Sequence, residues 1–209
     1  MIDHGFRMAH TRGNTGRGFK LGIVDVPPID RHELRMGVIA REVVPDAEIL
    51  WGEAVASHPQ ELWRLAVAGC SCIAMPFVLP DLLTKWQSYL SVLRTNGVLL
   101  FGSTGNGVPT TMFPAIDPNV IACGTVAPDG TAIDKWSSRS GKRQVGVVAG
   151  EDASSGAAVS AAAQAILWVA YAVHTHPHPA HRHPGYLDWL SRTGTPLAGG
   201  GHAPDCSNL

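Results

Sequence analysis

Short apolar runs alternate with amphipathic helical segments along most of this chain, and this alternation limits the possible folds more than any other feature. Buried strands are predicted at residues 19–24, 47–50, 70–75, 98–101, 120–124 and 145–148. Helices are predicted at 31–43, 59–68 and 82–95, and a long alanine-rich helix at 155–173. Strands that are apolar on both sides and joined by helices favour a mainly parallel sheet covered on both faces. We therefore expect an α/β domain, built as a three-layer sandwich around such a sheet.

The composition is that of one globular domain rather than of a disordered or fibrous chain. The 209 residues are 45% hydrophobic and 16% charged, and the formal net charge is −1. This charge gives no reason to expect nucleic acid or an anionic membrane as a partner. Residues 1–13 contain no apolar signal segment, and no run of 18 apolar residues occurs elsewhere, so neither secretion nor membrane spanning is expected. The four cysteines are predicted to be reduced core thiols of a cytoplasmic protein.

Three regions are predicted along the chain. Residues 1–14 form an N-terminal segment, 15–173 form the α/β domain, and 174–209 form a His-, Pro- and Gly-rich linker with a C-terminal tail that packs on the domain. The histidine cluster at 174–183 is interrupted by Pro177 and Pro179, so it cannot place two histidines one helical turn apart. We interpret this cluster as a solvated linker and predict neither a metal site nor a cofactor.

Three polar residues stand where a parallel sheet would gather them. Asp25 ends the first predicted strand, Asn106 follows the fourth, and Ser155 opens the long helix. Ligands of such sheets bind beyond the carboxyl ends of the strands. An aspartate, an amide donor and a serine are three parts of an acyl-transfer site, which also needs a histidine. Taken singly, the same residues could be a strand-end Asp, a turn Asn and a helix N-cap.

Six segments in register carry a resemblance to a known family. They are TGRGFKLGIVD at 15–25, EVVPDAEIL at 42–50, GVLLFGSTGN at 97–106, FPAIDPNVIACG at 113–124, WSSRS at 136–140 and ASSGAA at 153–158. In this order they resemble the subtilisin family of serine peptidases over about residues 15–172. The resemblance implies a subtilisin-like fold, here with trimmed loops. It also implies that Asp25 is the triad aspartate, Asn106 the oxyanion donor and Ser155 the nucleophile.

The catalytic histidine is where this chain departs most from the family pattern. Aligning Gly-Val-Ile-Ala at 37–40 with the family's helix places Arg31 at the position of the histidine. His32 is one residue further on, a rotation of about 100° on a helix. A helix start that has shifted its register, after only six intervening residues, would let His32 reach Ser155. The other interpretation of His32 is a surface residue near a helix N-cap.

The segments that bind substrate in the family have also changed. Pro-Phe-Val-Leu at 76–79 replaces a Gly-containing segment, which removes residues that let a peptide strand approach closely. Pro76, Phe77 and Gly105 are the predicted substrate-binding residues. The residue before Ser155 is Ser154, where the family has threonine.

These departures favour a subtilisin-fold pseudopeptidase that binds a peptide or protein partner without cleaving it, for example to assist peptide processing or maturation. The alternative is a minimal intracellular serine endopeptidase that uses Asp25, His32 and Ser155, so the sequence leaves open whether the chain is an enzyme. It also leaves open whether the chain is a homodimer. Everything about activity depends on the position of His32.

Overall fold

The computed structural model describes residues 4–26, 31–54, 59–79, 84–127, 137–138, 145–147, 153–173, 178, 181–197 and 201–209. The strands of this part of the chain are β1 (Lys20–Asp25), β2 (Glu48–Glu53), β3 (Cys70–Met75), β4 (Leu99–Ser103), β5 (Ile121–Thr125), β6 (Val145–Val147), β7 (Thr195–Pro196) and β8 (His202–Ala203). Its helices are α1 (Phe6–Thr11), α2 (Arg31–Val43), α3 (Gln60–Val67), α4 (Thr84–Thr95), α5 (Ala153–Ala172) and α6 (Arg182–Thr193).

All eight strands belong to one sheet, in the order β2-β1-β3-β4-β5-β6-β8-β7. Neighbouring strands from β2 to β8 run parallel, and β7 pairs antiparallel with β8 at the edge. The carboxyl ends of the parallel strands therefore lie along a single edge of the sheet. The predicted α/β architecture with a mainly parallel sheet is confirmed.

A hydrophobic core lies on each face of the sheet. On one face α5 packs against β3, β4, β5 and β6, and α1, α2 and α6 pack against α5. On the other face α3 and α4 cover the sheet, with Trp86, Leu62 and Leu90 fully buried between the layers. Helix α5 is long and apolar enough to cross a membrane by length and composition, but it lies in the core of the domain. Its many alanines let it pack closely on the strands, because small side chains allow backbones to approach.

A β-bulge in β3 decides where two of the cysteines point. Lys20 of β1 pairs with Cys70 and the next residue, Leu21, pairs with Cys72, so Ser71 is the extra residue. In a regular strand, residues two apart share a face; here Cys70 joins the core under α3 and Cys72 the core under α5. Burial raises the pKa of the Cys70 thiol to about 11, so this thiol is protonated and unreactive at neutral pH.

The C-terminal region contains more structure than the sequence analysis assigned to it. Residues 174–209 were predicted as linker and tail, but α6 covers 182–193 and β7 and β8 extend the sheet. Tyr186, Trp189 and Leu190 of α6 are buried against the domain, and their spacing of three and four residues is that of a helix face. His178 and His181–His183 of the histidine cluster are described, whereas 174–177 and 179–180 lie outside the described residues.

Replacing Tyr186 by phenylalanine is expected to stabilise the protein. The ring of Tyr186 is fully buried against Phe101 and Trp168, and its hydroxyl has no hydrogen-bond partner among the described residues. An unsatisfied buried hydroxyl destabilises a protein by about 1–3 kcal/mol. We expect the variant to unfold with a free energy about 1 kcal/mol higher and a Tm roughly 2–4 °C higher. Thermal unfolding monitored by circular dichroism measures both, and a lower Tm would contradict the assignment of an unsatisfied hydroxyl.

Candidate functional site

The sheet brings the predicted site residues to its carboxyl edge. Asp25 is the last residue of β1, Pro76 directly follows β3, and Asn106 lies three residues beyond β4. These three strands are adjacent in the sheet. Ser155 is the third residue of α5, in the first turn of that helix. The N–H groups of a first helical turn have no intrahelical partner and carry the positive end of the helix dipole, which favours developing negative charge.

Asp25 and His32 form a hydrogen-bonded pair. The Nδ1 atom of His32 lies 2.6 Å from Oδ2 of Asp25, and the N–H of Val26 donates to Oδ1 of Asp25 at 2.8 Å. The Asp25 side chain is 5% exposed and that of His32 is 37% exposed. A buried carboxylate needs donors, so Nδ1 of His32 carries a proton and donates it. The other ring nitrogen, Nε2, is then unprotonated in the neutral imidazole and can accept a proton.

Helix α2 begins at Arg31, and this start decides which side chain faces Asp25. Glu33, Met36 and Ile39 form the buried side of α2, whereas Arg31 is exposed to solvent. His32 lies at the boundary between the two sides, half-buried against β1. The family alignment put Arg31 at the place of the base. In the structure it is His32, one residue further on, whose ring contacts Asp25.

The hydroxyl of Ser155 is directed at the chain beyond β3. Its Oγ donates a hydrogen bond to the carbonyl of Pro76 at 2.7 Å. A hydroxyl has one proton to give, so in this arrangement Ser155 does not donate to His32. The pairing joins the first turn of α5 to the end of β3 and places the predicted nucleophile beside the predicted substrate-binding segment.

Asn106 is held by the residue that precedes Ser155. Its Oδ1 accepts the N–H of Ser154 at 3.0 Å and the Ser154 hydroxyl at 2.7 Å. With Oδ1 occupied, the amide group Nδ2 has no partner among the described residues, and Asn106 is exposed. Amide donors of this kind stabilise oxyanions, and this role for Asn106 stays a prediction.

The backbone of Gly105 makes hydrogen bonds to both Ser154 and Ser138. Its N–H donates to the Ser154 hydroxyl at 3.2 Å, and its carbonyl accepts the N–H of Ser138 at 3.0 Å. It has a φ of +100°, and an added Cβ would lie 3.0 Å from Val108 and 3.1 Å from the Ser138 hydroxyl. Both the conformation and the space therefore require glycine. Ala153, which begins α5, has a φ of 47°, a strained value for a residue with a side chain.

The side chains of the predicted substrate-binding residues Pro76 and Phe77 are buried. Phe77 is 6% exposed and its ring packs at 5.9 Å from Trp86, so this side chain belongs to the core. Pro76 is also buried, and its carbonyl is occupied by Ser155. The backbone of Leu79 pairs with Phe113 in an antiparallel bridge. A role for Pro76 and Phe77 in substrate binding stays a prediction, and it would be exerted by the backbone.

Two hydroxyls that bear on the site, those of Ser103 and Ser154, were not among the predicted site residues. Ser103 and Ser154 are buried with their Oγ atoms 2.5 Å apart. The signal available in the sequence was that polar residues stand inside otherwise apolar segments, at the end of β4 and the start of α5. Among the described residues no group of three His, Cys, Asp or Glu side chains is placed to hold a metal ion.

Comparisons with known proteins identify the fold. No protein-family model and no curated protein matches the sequence. The structure of the prenylagaramide maturation protease PagA matches with a TM-score of 0.77 at 14% identity, covering 92% of this chain and 88% of that one. A lanthipeptide protease matches with a TM-score of 0.76 at 12% identity, covering 98% of this chain and 92% of that one.

A third solved structure matches a smaller part of the chain. The psychrophilic subtilisin-like protease Apa1 from Pseudoalteromonas sp. AS-11 matches with a TM-score of 0.54 at 13% identity, covering 70% of this chain and 45% of that one. At such identities a structural match establishes the fold and leaves the activity to the residues of the site. The chain therefore has the subtilisin-like fold.

Proposed function

We propose that this protein is a serine endopeptidase that cleaves peptide substrates with Asp25, His32 and Ser155. The observation that carries the proposal is the 2.6 Å hydrogen bond between His32 and Asp25. The sequence favoured a pseudopeptidase, because Arg31 and not a histidine stands at the aligned position of the base. The contact directs Nδ1 of His32 at a buried carboxylate, so Nε2 is the ring nitrogen that accepts a proton, as proton transfer from a serine requires.

Each residue then has a step in the reaction. His32 Nε2 takes the proton of the Ser155 hydroxyl while Ser155 Oγ attacks the scissile carbonyl carbon, and a tetrahedral oxyanion forms. Asp25 stabilises the imidazolium. The Nδ2 group of Asn106 and the free N–H groups of the first turn of α5 stabilise the oxyanion. His32 then gives the proton to the leaving amine, which departs and leaves an acyl-enzyme, and water completes the cycle by the same route.

Ser155 must change its hydrogen bond before it reacts. In the structure its proton is given to the carbonyl of Pro76, so the hydroxyl has to turn from Pro76 to His32 before the serine reacts. Hydrogen bonds of a catalytic serine are often long or misdirected without substrate and form only in the complex. A substrate strand laid along residues 76–79 would compete for that carbonyl and release the hydroxyl.

Peptides processed from a precursor are the proposed substrates. PagA is described as a maturation protease and the second neighbour as a lanthipeptide protease. The two matches cover 92% and 98% of this chain. An extended peptide is also the kind of ligand that pairs with a backbone segment through main-chain hydrogen bonds, and the segment that begins at Pro76 lies beside Ser155.

One observation favours a second candidate function, the non-catalytic peptide-binding module. Ser155 is hydrogen-bonded to Pro76 rather than to His32, and the rigid Pro76 cannot donate a backbone hydrogen bond to a peptide. A protein that holds Ser155 in this arrangement permanently would bind peptides and not cleave them.

Covalent labelling by an alkyl fluorophosphonate separates the two functions. The reagent reacts with a serine activated by a neighbouring base, and peptide mapping by mass spectrometry locates the label. We expect stoichiometric labelling at Ser155 and none at Ser154, whose side chain is fully buried, and no labelling of the heat-denatured protein. A folded protein that stays unlabelled would refute the peptidase and support the binding module.

A further inference from the structure

The hydroxyls of Ser103 and Ser154 form a buried hydrogen-bonded pair next to Asn106, and we call this pair the relay. Ser103 is the last residue of β4 and is 2% exposed, and Ser154 in α5 is 0% exposed. Their Oγ atoms are 2.5 Å apart. Because both side chains are buried, neither hydroxyl takes part directly in the reaction described above.

The direction of each hydrogen bond in the relay follows from the number of protons and lone pairs on each oxygen. Oδ1 of Asn106 can only accept, so the Ser154 hydroxyl gives it its single proton. The Ser154 oxygen accepts the N–H of Gly105 with one lone pair. The remaining lone pair can only accept from Ser103, so Ser103 is the donor in the short contact. With this bond the Ser154 hydroxyl is fully satisfied and has one orientation.

We propose that Ser103 is a positioning residue for the amide of Asn106, acting through the Ser154 hydroxyl; this inference rests on the proposed peptidase function. The bond from Ser103 polarises the Ser154 hydroxyl and strengthens its donation to Oδ1 of Asn106, as in other hydrogen-bond chains. A carboxamide with its oxygen fixed by two donors cannot flip, so its Nδ2 group stays directed away from Ser154. The relay thus orients Nδ2 in advance for the charge that develops in the transition state.

Kinetics of Ser103→Ala test the relay. We expect kcat for a peptide substrate to fall about fivefold, the effect of weakening one buried hydrogen bond. The KM should stay within about twofold, because the oxyanion forms only in the transition state. Ser160→Ala is the matched control: Ser160 is a buried serine of the same helix that accepts from Gln164 at 3.1 Å, and its loss should leave kcat unchanged.

A double-mutant cycle distinguishes positioning from a general structural effect. If Ser103 acts through Asn106, then adding Ser103→Ala to Asn106→Ala should change kcat by less than about twofold. A further fivefold loss in that background, or a kcat for Ser103→Ala equal to that of Ser160→Ala, would overturn the inference. Recovery of kcat in Ser103→Thr, which keeps the hydroxyl, would support it.

A second readout separates failure of this inference from failure of the peptidase proposal. The side-chain amide of Asn106 gives its own ¹⁵N–¹H signals, which are assigned by their loss in Asn106→Asp. We expect Ser103→Ala to shift or broaden them and Ser160→Ala to leave them in place, whether or not the protein turns over substrate. Unchanged Asn106 signals in Ser103→Ala would overturn the relay, whereas an unlabelled Ser155 with shifted signals would overturn only the peptidase.

Discussion

Replacing His32 by alanine is expected to lower kcat for a peptide substrate by a factor of about 10⁴ to 10⁶, the range found when the base of a serine–histidine–aspartate triad is removed. The physical reason is that the Ser155 hydroxyl keeps its proton at neutral pH unless a positioned base takes it. The residual rate comes from the oxyanion donors and from substrate binding alone. Progress curves with a fluorogenic peptide measure kcat, and fluorophosphonate labelling of Ser155 should be lost in parallel.

Arg31→Ala is the matched control for this prediction. Arg31 precedes His32 on α2, is exposed, and is the residue that the family alignment puts at the position of the base. We expect this variant to keep kcat within about threefold of the wild type, in line with the small effects of most surface substitutions. A His32→Ala variant that keeps more than a tenth of the wild-type kcat would contradict the proposal. A large loss of kcat in Arg31→Ala alone would instead support the alignment over the geometry.

The strand and helix pattern of the sheet domain could be predicted because local and tertiary signals agree there. Apolar runs such as 98–101 and 120–124 have no polar face, so they fit only the middle of a covered sheet. Strands β4 and β5 are found there with every residue buried. The helix α6 was missed because prolines and histidines dominate the segment before it. Its three buried aromatic and aliphatic residues are too few to form a long periodic pattern.

The position of His32 could not be obtained from sequence alignment, for a geometric reason. One residue of shift at a helix start turns a side chain by about 100°, and an alignment without gaps across the helix cannot detect it. The orientation of the Ser155 hydroxyl could not be predicted from the sequence either. The donation of the Ser155 hydroxyl to the carbonyl of Pro76 depends on the rotamer of one side chain, and no residue type in the segment encodes that rotamer.

Replacing Asp25 by asparagine is expected to lower kcat by about 10⁴ at neutral pH while the fold is kept. The asparagine can still accept from Val26 through its oxygen, because the Oδ1 contact at 2.8 Å does not need a charge. The amide that replaces Oδ2 is a donor, so Nδ1 of His32 has to become an acceptor. Its proton then moves to Nε2, and the ring can no longer take the proton of Ser155.

Asp46→Asn controls for the loss of a carboxylate. Asp46 accepts from Thr15 at 2.7 Å and from Arg17 at 3.1 Å, and the Thr15 hydrogen bond, followed by that of Arg17, lowers the pKa of its carboxyl. It precedes β2, at the amino end of the sheet and therefore at the edge opposite to Asp25. We expect its kcat to equal that of the wild type.

The protonation state of His32 gives this prediction a direct readout. ¹⁵N chemical shifts of the His32 ring distinguish the two neutral tautomers, and we expect the proton on Nδ1 in the wild type and on Nε2 in Asp25→Asn. A variant that keeps both the wild-type tautomer and more than a tenth of the wild-type kcat would show that Asp25 does not orient the base. Loss of kcat together with the change of tautomer would tie the activity to the 2.6 Å contact between the two side chains, because the substitution alters little else at the end of β1.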